Sequence, residues 1–243
     1  MKLLITISLL LLSVLIGGLI VQAFNRKENQ KLIKLLLAFS GGFLLSIAFI
    51  HFIPELYEDS EINTGLFILI GFLVQLFLEF FSGGLEHGHM HIHKGSPIPI
   101  SILVALGAHS LIEGIPLGSQ IAGHEIATHV HHGDDHSLLL GILFHRIPVA
   151  IALMTVLVST NAERWKSWLL LGIFALMAPT GLLIGWGFGD SVEFDFNIIL
   201  AIVVGMFLHI STTIIFETSE NHKFNFVKLL TILSGCALAF LLH

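Results

Sequence analysis

The sequence predicts an all-α membrane protein, a bundle of eight transmembrane helices with both termini outside. Three observations carry that prediction. Of the 243 residues, 55% are hydrophobic and 12% are charged, about half the charged share of a soluble globular domain. The apolar residues fall into runs close to the ~20 residues that cross a ~30 Å hydrocarbon layer as a helix. The connections are short, and their Lys and Arg residues gather on alternate sides.

In order, the runs lie at roughly 3–24, 32–54, 62–82, 97–119, 137–159, 167–189, 196–216 and 225–242. The first follows Lys2 and ends near Val21-Gln22-Ala23, which faintly resembles a signal cleavage site. Its length exceeds the ~7–15 residues of a signal-peptide core, so it reads as a retained span. The two longer connections, 83–96 and 120–136, are rich in His and Gly. No separate soluble domain is expected, and residues 1–243 read as one transmembrane domain.

Orientation follows from the cations. If all eight spans are real, nine of the 11 (Arg26, Lys27, Lys31, Lys34, Lys94, Arg164, Lys166, Lys223 and Lys228) lie on one side, which is then cytoplasmic. The acids sort oppositely. Ten of the 17, including Glu55, Glu58, Asp59 and Glu61 in one loop, face outward. Such a field concentrates cations at an entrance, although solvated loops alone would look the same. No basic block suggests nucleic acid. Cys236 is the only cysteine, which excludes an internal disulfide and a cysteine-based zinc site. The 15 histidines outnumber Lys plus Arg, and neutral imidazole suits borderline metals such as zinc.

Ionisable groups at bilayer depth are functional candidates by default. His109 and Glu113 are four apart and share one face of the fourth span. Pro116 and Pro148 each remove a backbone donor, which frees the carbonyls of Ile112 and Phe144. Broken helices with freed carbonyls are typical of transporter sites. At ~1.5 Å per residue, His109 lies roughly 15 Å deep, Glu113 roughly 9 Å and His145 roughly 12 Å. Two His and one Glu in one layer, with a coordination position open, resemble an exchangeable zinc site. His51 and Glu55 lie nearer the outer surface and His209 deeper. For His209 a hydrogen-bonded helix contact is the competing reading. Glu79 is expected to snorkel or pair. Two small-xxx-small patterns, Gly114 to Gly118 and Gly181 to Gly185, suggest close helix packing.

At these residues the chain resembles the ZIP (ZRT/IRT-like) family of metal transporters. His109-Ser110-x-x-Glu113-Gly114 matches its fourth-span motif, His145-Arg146-x-Pro148-Val149 its fifth, and His51-x-x-Pro54-Glu55 the end of its second. The resemblance implies eight spans, inward movement of zinc and in some members iron, manganese or cadmium, a homodimer, and an elevator-like motion of spans one, four, five and six. Members with a two-metal centre use positions occupied here by Ser110, Arg146 and Val149. Valine cannot bind metal, and arginine stays protonated. The expectation is therefore one principal ion on His109, Glu113 and His145. Ser110 is a possible weak ligand, His51, Glu55 and His209 are possible supplements, and Arg146, pairing with Glu113, takes the second ion's place. No organic cofactor is expected, and the membrane is read as the plasma membrane.

The loop histidines form two further clusters, His87, His89, His91 and His93 inside, and His124, His129, His131, His132 and His136 outside. Such tracts bind borderline metals weakly, the outer as a collector and the inner as a receiver or sensor. Three alternatives stay open: a metal-binding regulator that does not transport, an exporter, and an intramembrane metalloprotease. The last needs His-Glu-x-x-His. The nearest match, His124-Glu125-Ile126-Ala127-Thr128-His129, places the second His one residue late and in a loop.

Overall fold

The computed structural model describes residues 1–23, 26–59, 63–85, 100–123, 136–160, 163–188, 195–217 and 226–242. These form α1 (Lys2–Ala23), α2 (Arg26–Ile47), α3 (Ile53–Asp59), α4 (Thr64–Ser82), α5 (Ile100–Ala122), α6 (Ser137–Ser159), α7 (Arg164–Phe188), α8 (Phe196–Glu217) and α9 (Phe226–Leu241), with no strand among the described residues. Seven stretches are long and apolar enough to cross a membrane, α2 and α3 counting together as Leu32–Glu58. The apolar α9 is shorter; its 16 residues span roughly 24 Å.

The second run does not end at Pro54. A π-turn at Ala48–Phe52 joins α2 to α3, and the Ile53 N–H reaches five residues back to the Ala48 carbonyl. In a regular helix the Pro54 ring would strike the carbonyl four residues earlier. The wider turn ahead of it lets the proline enter the first turn of α3, where it is tolerated. α4 has clear punctuation. The Asn63 side chain accepts from the Leu66 N–H at 3.3 Å. Gly83 closes the helix at φ 62 with its N–H on the Glu79 carbonyl, the left-handed stop that glycine favours.

α6 is the most buried of the candidate spans and α4 the least. Leu138 and Ile142 of α6 join one apolar cluster, and Val149 to Leu157 supply much of a second. α4 is inverted. Its buried residues are Thr64, Gly71, Gln75 and Ser82, while Leu66, Leu69, Leu73, Leu76, Phe77 and Phe80 face outward. In lipid that arrangement is sound, since the apolar side is the solvated one.

Helix pairing rests on close backbone approach, as membrane bundles require. On α5 and α7, a Cβ at Gly118 would overlap the Leu182 carbonyl, and one at Gly181 the Leu111 carbonyl. Gly71 and Gly205 do the same between α4 and α8, and Gly42 and Gly235 between α2 and α9. Gly17 of α1 seats against Ala150 of α6.

Candidate metal centre

The three expected ligands are all buried within the bundle. His109 and Glu113 project from one face of α5, and His145 projects from α6. They are 3%, 2% and 2% exposed, so water does not screen them. His109 Nε2 stands 2.8 Å from Glu113 Oε1. The His145 ring meets the His109 ring edge-on, with centroids 5.9 Å apart. On its other side, His109 Nδ1 lies 2.9 Å from Gln75 Oε1 of α4. A carboxamide oxygen accepts, so the ring donates through Nδ1 and turns Nε2 toward the carboxylate. A ring lone pair facing a carboxylate oxygen is repulsive until a proton or a metal ion sits there. Among the described residues no three His, Cys, Asp or Glu side chains lie close enough together to hold a metal ion as they stand.

Arg146 is the permanent charge of this layer. Its guanidinium donates through Nη1 to Ser110 Oγ, and through Nη2 to the carbonyls of Phe174 at 3.2 Å and Ala175 at 2.9 Å. Its Cζ also lies 4.9 Å from the centre of the Phe174 ring. One side chain thereby joins α5, α6 and α7. The acceptor on α7 has a simple origin. Pro179 lies inside α7 and has no N–H to return to the carbonyl four residues before it, that of Ala175.

The other sequence candidates sit elsewhere. His51 and Glu55 form their own pair at 3.7 Å across the π-turn, with side chains 15% and 26% exposed. His209 of α8 pairs with Glu79 of α4 at 3.2 Å and packs on the Phe72 ring. Ser110 is engaged as an acceptor for Arg146. Val149 is buried in an apolar cluster. His136 is exposed just ahead of α6. His87, His89, His91, His93, His124, His129, His131 and His132 lie outside the described residues.

Sequence reasoning passed over Gln75 and the α7 carbonyls. Gly71, Gln75 and Glu79 recur every four residues in an apolar run, which marks a polar stripe along α4. Pro179 signals a freed carbonyl by the same rule as Pro116 and Pro148.

Comparison with known proteins agrees with this architecture. Residues 1–97 and 83–243 match the profile of a family described as ZIP Zinc transporter. Protein zntD of Dictyostelium discoideum is 27% identical over 158 residues, covering 58% of this chain and 22% of that protein. Zinc transporter ZIP3 of Bos taurus is 33% identical over 115 residues, covering 44% of this chain and 33% of that protein. The matched segments thus span about a fifth to a third of the length of these curated relatives.

Proposed function

The chain belongs to the ZIP zinc transporter family, a family of transporters and not of enzymes, and on that premise we propose that it carries zinc into the cytoplasm, one ion at a time, through His109, Glu113 and His145. The observation that carries the reading is the buried His109–Glu113 contact beside a second imidazole. A tetrahedral zinc with bonds of ~2.0–2.2 Å sets neighbouring donors roughly 3.4 Å apart. The 2.8 Å pair reaches that by a small side-chain rotation. Two imidazoles on one such ion place their centroids roughly 5 Å apart, against 5.9 Å here. Ligation also displaces protons from imidazole, so metal entry and proton release are linked.

Arg146 and Val149 support a single ion, because one is a resident cation and the other an apolar core residue. His51 with Glu55 provides a partly exposed His–carboxylate pair on the outer side, and the outward acids raise the local cation concentration. His209 with Glu79 provides a further pair toward the cytoplasmic end. The His-rich loops serve as collector outside and receiver inside. Iron, manganese and cadmium are the competing cargoes, and a homodimer in the plasma membrane is the working unit. The close backbone pairs favour sliding of α1, α5, α6 and α7 against the rest. Both α5 with α7 and α1 with α6 fall in one group, and both α4 with α8 and α2 with α9 fall in the other.

Uptake of radiolabelled zinc into proteoliposomes holding the purified chain tests this reading. The wild type accumulates zinc, with Glu113→Ala and His109→Ala each removing most of the flux, and other divalent ions compete in proportion to their own transport. The second reading, a metal-binding regulator, is favoured by Arg146 and Val149, which stand where the resemblance places metal ligands. A wild type that binds zinc but moves none establishes it and ends the transport reading.

A further inference from the structure

Gln75 takes no part in the ligand set proposed above. It is nevertheless fully buried on a helix whose remaining surface is mostly turned outward. An amide at that depth is unfavourable unless it is used. Its oxygen lies 2.9 Å from His109 Nδ1, and a histidine ligand is commonly oriented by such an acceptor on its far nitrogen. That contact selects the tautomer, fixes the ring plane and keeps Nε2 directed at Glu113.

The same contact crosses a boundary in the packing. One turn before Gln75, Gly71 brings α4 against the backbone of α8 at Ile202, so the amide is carried by the α4 and α8 pair. His109 lies within the stretch where α5 is pressed on α7, between Gly107 against Met177 and Gly114 against the Ala178 carbonyl. Among the described residues no glycine overlap of this kind joins α4 to α5. The polar contact therefore links two pairs that are each tight internally.

We infer that Gln75 is a positioning residue that ties the metal affinity of His109 to the seating of α5 against α4. With α5 seated, the ring is held for ligation and the ion is bound tightly. When α5 and α7 shift past α4 and α8, the acceptor stays behind, the ring loses its lock and the ion is released more readily. This rests on the ligand set and the two-group motion proposed above.

The test uses the full chain, with zinc affinity measured by competition against a fluorescent chelator in detergent and uptake measured in proteoliposomes. Gln75→Leu, whose side chain suits a membrane helix, is expected to weaken zinc binding about 10–100-fold. It raises the uptake KM by a similar factor and lowers the maximal rate less. Gln75→Glu, which restores an acceptor, recovers most of the affinity. In a His109→Ala background, Gln75→Leu adds no further loss, since its effect runs through that ring. Wild-type affinity in Gln75→Leu overturns the inference, as does an undiminished loss once His109 is gone. The ligand set fails separately: His109→Ala that binds zinc like the wild type removes the site itself, whatever Gln75 does.

Discussion

Arg146 Nη2 donates at 2.9 Å to the carbonyl of Ala175, the carbonyl that Pro179 leaves without its helical donor. A helix defect on α7 and a buried cation on α6 thus satisfy each other. Neither is stable alone in hydrocarbon, where an unmet polar group is costly.

Arg146→Lys keeps the charge but loses the planar fork that serves Ser110 and two carbonyls at once. Buried bonds to a charged donor contribute ~1.5–3 kcal/mol each. Losing one or two of them is expected to lower the unfolding midpoint in detergent by about 5–10 °C. An unchanged midpoint would show that the clamp is not structural.

Ser110→Ala separates two roles for the hydroxyl. As an acceptor for Arg146, its removal lowers stability by ~1.5–3 kcal/mol and leaves zinc affinity nearly unchanged. A loss of about tenfold or more in affinity, as for a disturbed ligand shell, would make the serine a ligand.

The α5–α7 contact predicts a sharp contrast among glycines. Gly118→Ala and Gly181→Ala force two backbones apart and are expected to lower both thermal stability and uptake. Gly172→Ala, where a Cβ meets nothing within 4 Å, gains ~1 kcal/mol of helix propensity and loses nothing. Equal behaviour of all three variants would refute the packing account.

His209→Phe removes the imidazole that pairs with the half-buried Glu79 carboxylate, which is expected to reduce stability by ~1–3 kcal/mol. Uptake falls, while zinc affinity at the central site changes little, because His209 is engaged with Glu79 and Phe72 of α4. A chelator competition assay decides this, and a large affinity loss would add His209 to the ligand set.

Much of this was legible in the sequence because a bilayer imposes simple rules. Twenty apolar residues make a span, and a polar group within one needs a reason. His109 and Glu113 stand on one helix face because their spacing dictates it. Their proximity to His145 followed from depth alone, since α5 and α6 meet the same layer. The continuation past Pro54 was not legible, because proline ends a regular helix and nothing in the local residues announces a π-turn. The partners of Arg146 were missed for a different reason. Sequence directs attention to the opposite charge at Glu113, whereas backbone carbonyls carry no letter of their own. Gln75 was hidden by its company, a lone amide in a run that otherwise reads as lipid-facing.

The Arg146 clamp also has a consequence for how the chain is made. Its acceptors on α7 follow it by 28 and 29 residues. At ~5–20 residues per second, synthesis reaches them roughly 1.5–6 seconds after the arginine has emerged. Through that interval α6 carries a permanent cation near its middle, with an insertion penalty of ~2.5–3.5 kcal/mol. Ser110, already made, is the acceptor available to it in the meantime. Membrane entry of α6 is thereby coupled to a neighbour that does not yet exist, and the order of translation becomes part of the bundle's assembly.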